Sequence, residues 1–430
     1  MHTNEGRMRT VIVTATLCFV FIAVASLVAY PWYKWNNLTS SIDQHIATIR
    51  QTGLPVSNAD LDDWYVASIP DENEAGLVEN ALLSYRETPY AIPAFVKNGY
   101  ISTRERLTTV EMIEISKFLE ANRPCLDAAY KAAHAPSCYY PPQFSLKERR
   151  MEYTSNLERR LYGVIHCVLL NSIQHAEQED YRQAVTDIAV ACKLSNIFKV
   201  VPHDKYQGIG RFARVCVMRC IEYHINHYTF PSTELRMIQD EVSVLHDSDA
   251  LYKVIVGLRA DVIAEHPWAW NPGLGPIERV LAAVDFEMKL DVYGDLLRAS
   301  RLEPKQRQDI FEACNDRLVR ALSKYVPPPP NNFPLVISPN ILSEEKAFFR
   351  DSLQVYALGL IVAAERYRNV KGALPKNIDL LTPDYLGAPP RNLVGENPLL
   401  VTRDESFLYI TRLGDSKELV NFALKISKSN

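Results

Sequence analysis

The chain has 430 residues, of which 23% are charged and 47% apolar, enough for two or three domains with sizeable cores. That balance excludes a disordered chain. A formal net charge of −4 offers no basic surface of the kind that nucleic acid requires.

Residues 11–30 read VIVTATLCFVFIAVASLVAY, without a single charge. At about 1.5 Å per residue such a helix matches the roughly 30 Å hydrocarbon core of a bilayer. Arg7 and Arg9 precede it, and Tyr30, Trp32, Tyr33 and Trp35 follow as an aromatic belt. The pattern predicts one transmembrane helix, with residues 11–30 in lipid, the amino terminus cytoplasmic and the bulk of the chain outside. The alternative is a cleaved signal peptide with Ala23-Val24-Ala25 as its cleavage box. Apolar residues continue past that box through Leu27, Val28 and Ala29, which favours the anchor.

A juxtamembrane helix is expected over 37–53, followed by helices over 75–87 and 108–121, the latter continuing past Pro124 to 133. The stretch 155–200 carries two apolar stripes of helical period, separated by an acidic break at 177–180. The first is Leu157, Leu161, Ile165, Val168 or Leu169, and Ile173. The second is Ala184, Ile188, Ala191 or Cys192, and Leu194 or Ile197. So short a break predicts an antiparallel αα-hairpin, and the rest of the chain should extend or cap it.

Further helices are expected over 206–228, 234–245 with Ser232-Thr233 as its cap, 251–264 with Ser248 as its cap, 276–300 and 303–326. Four prolines at 327–330 cannot join a helix and mark the clearest boundary. Beyond them Ser343 caps a long helix to about 370, ended by Gly372. Strand-like pieces follow at 399–402, 407–411 and 419–426.

The predicted fold is therefore mainly α: an N-terminal transmembrane helix, an irregular α-solenoid or helical bundle, and a small C-terminal α+β unit. That last unit is one long helix plus short antiparallel strands. The expected divisions are 1–35, tail and anchor; 36–326, helical-hairpin domain; 327–340, proline-rich linker; and 341–430, α+β unit.

There is no phosphate-binding glycine loop, nucleophile elbow or His-Glu-x-x-His. Cys216, Cys220, His224 and His227 fall on one helical face, as zinc ligands would. They span roughly 16 Å along the axis, too far for one ion, so the stripe is read as buried packing. Cys125 and Cys138 flank a turn at Pro136 and are the one plausible disulfide pair; the spacing leaves open whether they bond. Trp268 and Trp270 stand in a loop and are the candidate partner-binding residues. The basic run 147–160 is read as a solvated helix face.

EDYRQAVTDIAVACKL, at 179–194, resembles the second helix of a tetratricopeptide repeat. Asp180-Tyr181 matches its turn, and Ala184 and Ala191 its small packing positions. The preceding helix departs from that motif: Asn171, Ser172 and His175 stand where Leu, Gly and Tyr belong. The resemblance implies a hairpin geometry rather than a repeat array.

PDENEAGLVENAL at 70–82, the Cys138-Tyr139-Tyr140-Pro141 break, the hairpin and AAERYRNVKGALPKNIDLLTPDYLGAPP at 363–390 occur in that order. Together they resemble a family of uncharacterised membrane-anchored helical proteins of planctomycete-type bacteria. The last stretch also resembles the soluble tail of type II secretion pseudopilins, which implies a helix followed by strands. Of their calcium loop only Gly414-Asp415-Ser416 remains, and the prepilin cleavage glycine is missing. Neither calcium binding nor pilus assembly is therefore implied.

The expected function is a membrane-tethered extracytoplasmic helical scaffold or protein-interaction module. It would have an unidentified protein partner, and no catalytic residues, cofactor or metal. The alternative is a cell-envelope metal-dependent hydrolase with a dispersed site.

Overall fold

The computed structural model describes residues 3–86, 96–97, 100–101, 105–140, 144, 150–264, 275–323, 341–387, 400–403, 407–413 and 418–425. Helices dominate, and a small antiparallel sheet closes the chain.

The first helix, α1, runs unbroken over Thr3–Gln51. The expected separate juxtamembrane helix is its continuation. Pro31 lies inside and lacks one backbone donor, yet the helix carries through. Its two halves have different surroundings. Leu17, Phe19, Val20, Phe21 and Ile22 are all exposed, whereas Ile42 and Ile49 are buried.

Short helices α2 (Asn58–Val66) and α3 (Ala75–Ser84) follow, then a two-residue hairpin of β1 (Val96–Lys97) and β2 (Tyr100–Ile101). The helix expected over 108–133 is two helices, α4 (Thr109–Ala121) and α5 (Arg123–His134). Thr108 and Glu111 form a reciprocal capping box on α4. Pro124 occupies the first turn of α5, where its missing N–H costs nothing, so the chain restarts at buried Asn122.

The central hairpin is α6 (Arg150–Glu177) and α7 (Tyr181–Ser195). Glu179 takes a left-handed φ of 61° to end α6. The Asp180 carboxylate accepts from Gln183 N–H to start α7. Ala184, Ile188 and Ala191 are fully buried, as are Ile165, Val168 and Ile173 across the pair. Helices α3, α4 and α5 lie against α6, while α5 also lies against α7.

Then come α8 (Asp204–His227), α9 (Ser232–Val244), α10 (Ala250–Ala264), α11 (Pro276–Ala299) and α12 (Pro304–Ser323). The caps expected on α9 and α10 differ. Helix α9 already begins at Ser232, with Pro231 at the cap position and no side-chain cap bond. Before α10 the Asp247 carboxylate accepts from Asp249 N–H at 3.1 Å.

The run at 327–330 and the linker to 340 lie outside the described residues. Beyond them α13 (Ile341–Lys371) ends at Gly372, which takes φ 75°. By length and composition α13 would suit a membrane, but most of it is buried. It packs against α8, α9 and α12, and its Leu358, Ile361 and Ala364 belong to the same core as the central hairpin. Two ion pairs fasten α13 to α8: Arg211 to Glu344 at 2.8 Å and Arg214 to Asp351 at 2.7 Å.

Strands β3 (Leu400–Arg403), β4 (Phe407–Leu413) and β5 (Glu418–Lys425) form an antiparallel sheet in that order. Alternate residues Phe422 and Leu424 point into the core. The free edge of β5 is met by α8. Ala423 N–H donates to Glu222 Oε1 at 2.8 Å, Asn226 Nδ2 donates to Ala423 O at 2.9 Å, and Lys425 N–H donates to Asn226 Oδ1 at 2.8 Å. The Asn226 amide thus substitutes for a neighbouring strand, satisfying an edge that would otherwise be open to pairing.

Candidate recognition cleft

Three helices each turn a polar stripe toward one recess. On α5 the stripe is Arg123, Asp127, Tyr130 and His134, spaced by three and four. On α6 it is Asn171 and His175, one turn apart, and on α7 it is Gln183 with Asp187 one turn on. Except for Asp187, which lies beneath, these residues line a cleft of about 540 Å³.

Asp187 is fully buried and gathers four donors. Asn171 Nδ2 donates to Oδ2 at 3.0 Å and His175 Nδ1 to Oδ2 at 2.8 Å. Gln183 Nε2 donates to Oδ1 at 3.1 Å, and the Tyr130 hydroxyl donates to the same oxygen. Burial raises the Asp187 carboxyl above its usual range, opposed by the bonds from Tyr130 and His175. Burial and the adjacent carboxylate raise the Tyr130 hydroxyl as well.

With both oxygens occupied, Asp187 orients its neighbours and takes no ligand itself. The bond to Asp187 places the proton of neutral His175 on Nδ1, which leaves Nε2 as the basic nitrogen. The His175 side chain is a quarter exposed, and among the described residues the partner of its Nδ1–H is Asp187. The cleft therefore offers an oriented imidazole, an arginine and an aspartate on a floor of satisfied polar groups. A second recess of about 440 Å³ runs along α7 past Lys193 and Glu241. His134 and Thr186 line both.

The cysteine–histidine stripe of α8, read from the sequence as buried packing, lies inside the core. Cys216, Cys220 and His224 are buried. His224 Nε2 meets Ser172 Oγ at 2.8 Å, and Cys220 Sγ lies 3.8 Å from Leu169 O. Burial pushes both thiols up to about 12 and pulls His224 down to about 3. The His227 ring packs on Tyr223, with centroids 4.5 Å apart. Among the described residues no group of three or more His, Cys, Asp or Glu side chains is placed to hold a metal.

Cys125 and Cys138 are both free and buried. In the basic run, Arg160 Nη1 donates to Leu82 O at 3.0 Å and so closes the end of α3, while Arg159 is exposed. Trp268 and Trp270 lie outside the described residues.

Sequence reading missed the cleft, although one signal was present. Asn171, Ser172 and His175 are the positions where α6 departs from the tetratricopeptide pattern. Two of them build the cleft, and the third holds His224.

Comparison with known protein families, curated proteins and solved structures finds no match to this chain.

Proposed function

We propose that this is a bilayer-tethered helical binding protein. Its anchor is the first half of α1, and its recognition site is the cleft over Asp187. One observation carries the reading: the contrast along α1. Its amino-terminal half exposes Leu17, Phe19, Val20, Phe21 and Ile22, while its carboxyl-terminal half buries one face, Ile42 and Ile49, against α11. An apolar helix with its large side chains exposed has lipid as its natural solvent. Arg7 and Arg9 ahead of the span favour a cytoplasmic amino terminus and an extracytoplasmic body. The cleft supports binding, because its polar groups are held in place before any ligand arrives, which lowers the entropy cost of association.

The test is fractionation of the full chain. It should stay with membranes through alkaline carbonate, and protease added to spheroplasts should digest the body. Release by carbonate, or complete protection from protease, would refute the anchor or its orientation respectively.

A second reading, an envelope hydrolase, draws on the His175–Asp187 pair, in which a carboxylate orients an imidazole as in general-base catalysis. Screening the purified full chain against ester, peptide and phosphoester substrates separates the two. Turnover that is lost in His175→Ala would favour the hydrolase.

A further inference from the structure

The second half of α1 runs beside α11 in a parallel sense. Ser41 Oγ donates to Glu287 Oε1, and His45 Nδ1 lies 3.9 Å from Asp291 Oδ1. Both pairs are 246 residues apart (287 − 41 and 291 − 45), so each step along α1 is matched by one along α11. An apolar seam keeps this register toward the span. Trp35 and Leu38 pack on the cluster formed by Ile42, Ile49, Ala283, Phe286 and Leu290. Advanced by the same 246, Trp35 falls level with Leu281, and the aromatic belt at 30–35 falls level with 276–281. The opening turns of α11 thus stand at the height where α1 leaves the bilayer.

Those turns are apolar on their outer face. Ile277 is 66% exposed, Leu281 40% and Val284 46%. At about 100° per residue they lie at roughly 0°, 40° and −20°, one stripe. Glu278 stands about 100° away from Ile277 around the helix, and its carboxylate accepts from Gly275 N–H at 2.8 Å.

Further along, the same face becomes charged, with Asp295 paired to Arg298 and Arg317. Asp291 and Asp295 fall at roughly −40° and 0°, about 21 and 27 Å beyond Ile277. Bilayer depth accounts for both halves: apolar side chains at the headgroup layer, carboxylates in water. From Ile277 to Val284 is about 10 Å, the depth to which interfacial helices bury their apolar side chains.

We infer that the amino-terminal turns of α11 are a second membrane contact, seated in the lipid interface beside α1. The body is then held at a fixed height and orientation instead of swinging on a single tether. This rests on reading α1 as a bilayer anchor, and the experiment separates the two.

The full chain would carry Cys18→Ser, since the other described cysteines are buried. A spin label is then placed at Leu281→Cys, at Ile277→Cys as a second site, or at Val319→Cys as control. Val319 is exposed on α12, two residues from Arg317, which bonds to Asp295 at 2.9 Å far from the belt.

In phosphatidylcholine–phosphatidylglycerol vesicles, power saturation with oxygen and a water-soluble nickel chelate reads depth. The oxygen-to-nickel ratio at 281 and 277 should exceed that at 319 severalfold. Nickel access at 281 and 277 equal to that at 319, on a chain that resists carbonate, overturns this inference and leaves the anchor standing. Dipolar broadening at 281 with a doubled particle mass means that a second copy covers the stripe, which also overturns it. Extraction of the chain by carbonate removes both readings.

Discussion

Two helical glycines with the same intrinsic preference should respond to alanine with opposite sign. Gly257 sits buried in α10, where an added Cβ would fall on the carbonyl oxygen of Pro202 and 2.7 Å from its carbon. That carbonyl is backbone, and its segment has little room to retreat. Gln207 Nε2 donates to Phe198 O at 2.7 Å and Val201 O at 2.9 Å, and Val201 is fully buried. Overpacking of this kind costs up to about 3 kcal/mol. Helix propensity returns about 1 kcal/mol on replacing glycine by alanine. The net for Gly257→Ala is a loss of about 2 kcal/mol. Gly359, in α13, has nothing within 4 Å of the same added atom, so only propensity acts, and Gly359→Ala should gain about 0.5–1 kcal/mol. Urea unfolding of the full chain in detergent, followed by far-ultraviolet circular dichroism, reads both. A stabilising Gly257→Ala would mean that α10 does not lie against Pro202, and the placement of the α7–α8 connection would be wrong.

In the central hairpin, Ile188→Ala should cost about 2–5 kcal/mol and Ala184→Leu about 1–3 kcal/mol, while exposed Arg182→Ala should stay within about 0.5 kcal/mol. Thermal melts showing equal shifts for all three would refute the assigned buried face. At the cleft, Asp187→Ala orphans four donors and should cost about 3 kcal/mol or more. Asp187→Asn should cost only about 1–2 kcal/mol, because Tyr130 and His175 can each accept as well as donate; equal losses in urea melts would contradict this. His224 makes one separable contribution to the pH dependence. Its folded value of about 3 lies below the unfolded value of about 6.5, so its stability contribution is complete above pH 6.5 and is lost as pH falls toward 3. Between pH 7 and 5 the wild type should lose about 2 kcal/mol more than His224→Gln, read as unfolding free energies at the two values.

The hairpin was legible in the sequence because its signals are local. Period-3.6 stripes mark each helix, and a left-handed Glu179 with a capping Asp180 closes the break. Gly372 ends α13 for the same kind of reason, and the strand-like pieces read at 407–411 and 419–426 fall on β4 (Phe407–Leu413) and β5 (Glu418–Lys425).

What only tertiary structure decided involves partners far apart in the chain. Whether α1 ends at Pro31 or runs on depends on α11, which supplies the apolar seam for its second half. Cys216, Cys220 and His224 form the same stripe in sequence whether they face a metal or a packed core, where here His224 meets Ser172 and Cys220 meets Leu169 on α6. The candidate site is the clearest case. Tyr130 and Asp187 are 57 residues apart and meet because α5 lies across the hairpin. No spacing rule connects them, since helix periodicity fixes which residues share a face and packing alone fixes which faces meet.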